Sequence, residues 1–141
     1  MTPLDQAGLA RKLNHLRELL ALLRAESRVS LVQFLEDRRQ QLLVERLLHL
    51  GVEAASDLLE HVLVRDYNRC PQTYAETFLE AGATGLISLA LAERLVPAAG
   101  LRHRLVHDHE AIDPRRVHAA IPVALRDLEE LSAVLAARVA M

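Results

Sequence analysis

One cysteine, one lysine, no tryptophan, two tyrosines and two phenylalanines stand among the 141 residues. Cys70 alone cannot close an intramolecular disulfide, which fits a reducing compartment, and it leaves no thiolate cluster for zinc or an iron–sulfur centre. An aromatic share of 3% removes the stacking platforms on which single-stranded nucleic acid is bound. Uninterrupted apolar runs such as Leu19–Leu23 fall far short of the ~20 residues that span a bilayer, so no membrane association is expected. No basic segment followed by an apolar one stands near Asp5, so no secretory signal is expected and a cytoplasmic location is. Seventeen basic residues against 19 acidic ones leave a net charge of −2. A globally basic nucleic-acid binder is thereby excluded unless its cations are concentrated locally.

What remains is aliphatic. Hydrophobic residues make up 51% and 29 residues are leucine, so a core of interdigitated Leu side chains is expected. At this length a single domain over residues 1–141 buries roughly 68% of its unfolded surface.

Helical periodicity dominates. Leu9, Leu13, Leu16, Leu20 and Leu23 mark one face of a helix over 5–27. Ser30 and Gln33 form a capping box, the hydroxyl accepting from the Gln33 amide and the Gln side chain reaching back. From there Leu43, Leu47, Leu50, Ala54, Leu58 and Val62 predict one long second helix from 31 to about 66. Residues 66–71 read as a loop because Pro71 forces Cys70 out of helical geometry and Asn68 suits a turn. Thr73 and Glu76 cap a short helix after residue 72. A further helix is expected with Leu86, Leu89, Ala90 and Leu95 on one side, kinking or restarting at Pro97. Asp113 and Pro114 open a last helix carrying Ile121, Leu125, Leu128, Leu131 and Leu135 and bent at Pro122. Short loops between such helices predict an all-α, up-and-down bundle of about five.

Chemistry concentrates in residues 100–116, which hold four of the 16 arginines and three of the seven histidines. On a helix, Arg104 and His107 share a face, as do His103 and His107, with Arg102 about 140° round from His107. A guanidinium grips two phosphate oxygens at once, and an imidazole exchanges protons near neutrality. Cleavage of RNA by its own 2′-hydroxyl needs both charge neutralisation at phosphorus and a base for the hydroxyl. It also needs an acid for the leaving group, and two chains meeting at this segment would supply the full set. The chemistry thus favours a homodimer.

The run Gly100-Leu101-Arg102-His103-Arg104-Leu105-Val106-His107-Asp108-His109, followed by Ile112-Asp113, resembles the signature of the HEPN superfamily in its HepT-like toxin branch. That signature has an arginine usually followed by asparagine, four intervening residues, a histidine, a tyrosine two positions on, and an Ile-Asp pair. Phe34-Leu35-Glu36-Asp37, Glu45-Arg46-Leu47-Leu48, Glu53-Ala54-Ala55 and Pro71-Gln72-Thr73-Tyr74 extend the likeness over roughly residues 30–131. The resemblance implies an all-helical homodimeric endoribonuclease of a toxin–antitoxin system, needing neither metal nor other cofactor. Arg102 and His107 would be its catalytic pair, with His103, Arg104 and His109 contacting the RNA. It also implies a cognate minimal nucleotidyltransferase (MntA-like) antitoxin, which in relatives often adds AMP to the motif tyrosine. His103 replaces the usual asparagine and His109 the tyrosine, so neutralisation here is expected by binding or to be lost. The alternative is a non-catalytic HEPN-type module that binds nucleotide or a nucleotidyltransferase partner.

Plainer roles are expected elsewhere. His15, His49 and His61 read as edge-of-core or exposed residues, Tyr67 and Tyr74 as anchors of the loop after the second helix, and Glu53 as a structural partner for a motif arginine. Arg115 and Arg116 lie in the first turn of the last helix, where the dipole disfavours cations; RNA phosphate or an acidic antitoxin surface would hold them.

Overall fold

The computed structural model describes residues 3–108 and 111–140. Among them the chain forms six helices and no strand: α1 (Pro3–Glu26), α2 (Leu31–Glu36), α3 (Arg38–Tyr67), α4 (Tyr74–Ala83), α5 (Leu89–His107) and α6 (Pro114–Val139). The all-α bundle expected from periodicity is therefore present, with one helix more than the sequence suggests.

The extra helix arises at Asp37. Its backbone leaves helical geometry (φ −121°, ψ 93°), and its carboxylate accepts from the Gln40 amide at 3.1 Å, so it ends α2 and starts α3. Carbonyls at the end of α2 are met in part from inside α3: the buried Gln41 Nε2 donates to the Phe34 and Leu35 oxygens, the former also accepting the Asp37 N–H. The 31–66 helix is thus two helices joined at a cap. The capping box at Ser30 forms in full; at Thr73 only its hydroxyl half forms, because the Glu76 carboxylate accepts from the Gln72 amide instead of the Thr73 amide, and Asp113 caps α6 with Pro114 following.

The fifth helix starts at Leu89, because the Ser88 hydroxyl accepts from the Leu91 amide, which leaves Leu89 exposed in the first turn and Leu86 buried in the preceding turn. Helices α5 and α6 each run on past their proline, Pro97 and Pro122. Both rings are exposed, so the lost hydrogen bond falls on the solvent side.

Helix α3 touches every other helix. Its buried face is correspondingly wide, running through Val44, Leu48, Ala55, Leu59 and Leu63 beside Leu47, Leu58 and Val62. Leu43 lies outside that face, 45% exposed. The α1 and α6 stripes bury as their spacing predicts, and Phe34 and Phe78 fill the core with them. Cross-contacts fix the directions. Arg24 meets Glu129 and Gln6 meets the Val139 carbonyl, setting α1 antiparallel to α6. Arg94 meets Glu130 and Asp127, while Arg104 and Arg116 border one groove, setting α5 antiparallel to α6.

Helices α4 and α5 approach most closely at Gly82: a Cβ placed there would lie 2.6 Å from the Ala92 Cβ. That approach holds Tyr74, at the start of α4, against the second half of α5. No helix among the described residues is long and apolar enough to cross a membrane.

Candidate functional site

The cation-rich end of α5 faces three surroundings at once. Arg102, with 19% of its side chain exposed, turns inward toward α3 and α4. Its Nη2 stands 3.6 Å from Glu53 Oε2 on α3, and its guanidinium carbon lies 4.4 Å from the centroid of the Tyr74 ring. The Nε of the same guanidinium is buried and has no hydrogen-bond partner.

Glu53 is shared. The same Oε2 lies 3.1 Å from His49 Nε2, and His49 Nδ1 lies 3.2 Å from Arg46 Nη1. An arginine only donates, so this geometry gives Nδ1 the acceptor role and Nε2–H the donor role toward the carboxylate. Positions 46, 49 and 53 fall on one face of α3 by their i, i+3 and i, i+4 spacing. The result is a polar ladder, Arg46 to His49 to Glu53 to Arg102, backed by an aromatic ring. A groove of about 300 Å³ between Leu42, Arg46, His49 and Val106 runs alongside it.

His107, the last residue of α5, is exposed. Its ring stands 4.5 Å from that of His103, one turn earlier and also exposed. These two meet as their i, i+4 spacing predicts. The backbone N–H of Asp108 closes the helix on the Arg104 carbonyl at 2.8 Å, and the helix dipole there favours cations at Arg104 and His107.

Arg104 leaves α5 about 200° round from Arg102. It borders a groove of about 320 Å³ between α5 and α6, together with Arg116, Leu101 and Ala120. Arg102 and Arg104 therefore serve different surfaces. His109 lies outside the described residues. Among the described residues no group of three or more His, Cys, Asp or Glu side chains is arranged to hold a metal ion.

Periodicity and motif spacing did not anticipate the ladder or the stack. His49 reads as an edge-of-core residue by its leucine-rich surroundings, yet both ring nitrogens are engaged. Tyr74 reads as a loop anchor, yet it is the first residue of α4 and lies against Arg102. Of the two tyrosines, Tyr67 alone stays at the loop, accepting from Arg138 Nη1 at 3.4 Å. The spacing of Arg46, His49 and Glu53 on one helix face was the available signal.

The all-helical bundle, with Arg102 turned inward and His107 exposed on one helix end, agrees with the HEPN-type arrangement that the motif resembles. The family model described as ribonuclease HepT-like matches residues 12–135, and the chain belongs to that family. The tRNA nuclease HepT of Aphanizomenon flos-aquae (strain 2012/KM1/D3) is 35% identical over 126 residues, covering 89% of this chain and 86% of the relative. Among solved structures, a tri-AMPylated Shewanella oneidensis HEPN toxin in complex with MNT antitoxin superposes with a TM-score of 0.83 at 23% identity, over 97% of this chain and 99% of that one. The cytosolic protein of unknown function YutE from Bacillus subtilis superposes with a TM-score of 0.79 at 16% identity, over 95% and 90%. At those identities the two structures speak for the fold alone.

Proposed function

We propose that this chain is the toxin subunit of a toxin–antitoxin pair, a metal-independent endoribonuclease acting as a homodimer. The observation that carries the reading is Arg102, a guanidinium retained by an aromatic face and a long ion pair, on the same helix as the exposed His107. Family membership and the relative named as a tRNA nuclease support it.

In the proposed reaction His107 takes the proton of an RNA 2′-hydroxyl, whose oxygen attacks the adjacent phosphorus. The bond to the 5′-oxygen breaks, and that oxygen takes a proton from an acid supplied by the twofold mate. Arg102 neutralises the charge that builds on the phosphoryl oxygens in the transition state. The products are a 2′,3′-cyclic phosphate and a free 5′-hydroxyl. His103, beside His107, contacts the RNA, and Arg104 and His109 are further RNA contacts. The antitoxin is an MntA-like nucleotidyltransferase that neutralises this toxin by binding, since His109 offers no phenolic hydroxyl for AMP.

The test is RNA cleavage in EDTA by the wild type and by Arg102→Ala and His107→Ala, with product ends analysed for cyclic phosphate. Cleavage by the wild type and its loss in both folded variants is the expected result. A wild type inert toward tRNA, mRNA and total RNA would overturn the nuclease reading in favour of a non-catalytic module that binds nucleotide or the antitoxin.

A further inference from the structure

Arg102 is held more loosely than its surroundings allow. A buried arginine beside a carboxylate ordinarily forms a short, two-point ion pair. Here the distance is 3.6 Å and Nε has no partner. The reason is visible one turn away on α3: the oxygen nearest Arg102, Glu53 Oε2, already accepts from His49 Nε2 at 3.1 Å. His49 is in turn fixed from its other side by Arg46 at 3.2 Å, and only 16% of its side chain is exposed.

We infer that His49 is a positioning residue, which by occupying the Glu53 carboxylate keeps Arg102 available to an RNA phosphate. The inference deepens the proposed ribonuclease activity and rests on it for its kinetic consequences. Glu53 draws the guanidinium to the site by charge, and Tyr74 keeps it in one plane. If the carboxylate were free of His49, it would turn to take Arg102 through Nε and Nη2 together, satisfying the orphan donor. An arginine locked in that way must be pulled from a two-point ion pair before it can meet a phosphate. His49 touches neither substrate nor reacting atoms in this scheme, and its effect passes wholly through Glu53.

The competition makes an unusual pattern of mutant behaviour. His49→Ala frees the carboxylate and raises the KM for RNA about two- to five-fold, the range set by a half-exposed ion pair, with kcat changed by less than twofold. His49→Gln keeps an N–H donor on Glu53 and recovers most of that loss. Glu53→Gln in the His49→Ala background removes the charge that sequesters Arg102 and returns KM toward the wild-type value. A residue that merely supported the fold would show no such recovery, because a second substitution in the same ladder would deepen the damage.

The experiment is steady-state cleavage of a short RNA by the wild type, His49→Ala, His49→Gln, His49→Ala/Glu53→Gln and Arg102→Ala, each checked for its helical circular-dichroism spectrum. In parallel the ¹⁵N resonance of Arg102 Nε, assigned by its loss in Arg102→Ala, reports the guanidinium without turnover. His49→Ala should shift it and the double variant should return it. An unchanged KM and resonance in His49→Ala, or a change that Glu53→Gln leaves in place, overturns the inference. A wild type that cleaves nothing overturns the nuclease reading instead, and cleavage that survives Arg102→Ala overturns the role given to Arg102; in either case the resonance decides on His49 alone.

Discussion

The guanidinium of Arg102 lies over the ring of Tyr74, 4.4 Å from its centroid, joining the cation-rich end of α5 to the first turn of α4. Such a contact contributes about 0.5–2 kcal/mol, depending on how far it is desolvated, and it depends on the ring rather than the hydroxyl. Tyr74→Phe should therefore retain RNA cleavage. Tyr74→Leu should lower kcat/KM by about three- to tenfold, within that range. In urea denaturation Tyr74→Leu and Arg102→Ala should be non-additive, Tyr74→Leu costing about 0.5–2 kcal/mol less in the Arg102→Ala background, which a double-mutant cycle of stabilities measures.

The close approach of α4 and α5 sets the second expectation. A methyl group at Gly82 would stand 2.6 Å from the Ala92 Cβ, so Gly82→Ala must push the two helices apart. Overpacking of this kind costs about 1–3 kcal/mol. Urea denaturation should show that loss for Gly82→Ala and its partial recovery in Gly82→Ala/Ala92→Gly.

Asp37 closes one helix and opens the next with a single carboxylate. Asp37→Ala should lower stability by about 0.5–2 kcal/mol, the usual value of an N-cap, while Asp37→Asn should lose little. Thermal melts followed by circular dichroism separate the two variants.

Acid should weaken the fold in two stages. Burial, with Lys12 and Arg65 nearby, holds His61 below the ordinary histidine value. The unfolded chain then binds a proton more readily than the folded one, so stability begins to fall as pH drops through about 6.5, the ordinary value. The decline continues until the folded imidazole itself titrates. Asp66, hydrogen-bonded by Arg65, is held below the ordinary carboxylate value. Its contribution is intact above about pH 4, the unfolded value, and is lost as pH falls through the lower folded one. Urea midpoints measured from pH 7.5 to 5 should show the first stage flatten in His61→Gln and persist in Asp66→Asn.

Much of this architecture is legible in the sequence because helix faces and caps are local. The Leu9 to Leu23 stripe, the Ser30 and Thr73 caps and the Asp113-Pro114 start each depend on residues within a turn or two of one another. The break at Asp37 is harder to read: neither glycine nor proline marks it, and the polar run over 36–41 suits an exposed stretch of continuous helix as well as a junction. Its one signal is Asp37 three residues ahead of Gln40, whose amide it caps. The α5 continuation past Pro97 is obscured because the cost of the proline depends on whether its side of the helix faces solvent. At the candidate site, the motif places Arg102 and His107 on one helix, and Glu53 reads as a partner for a motif arginine. The Tyr74 stack depends on where α4 docks, which no spacing within α5 encodes.

The stack also has an optical consequence. Without tryptophan, the ultraviolet emission of this chain comes from two tyrosines, and one of them lies beneath the arginine proposed to meet RNA. Tyr67, the other, lies 5.4 Å from the Arg138 guanidinium near the ends of α3 and α6. Removing its hydroxyl with Tyr67→Phe leaves Tyr74 as the sole phenol emitter, a native reporter whose intensity follows the Arg102 guanidinium as it stays on the ring or leaves it.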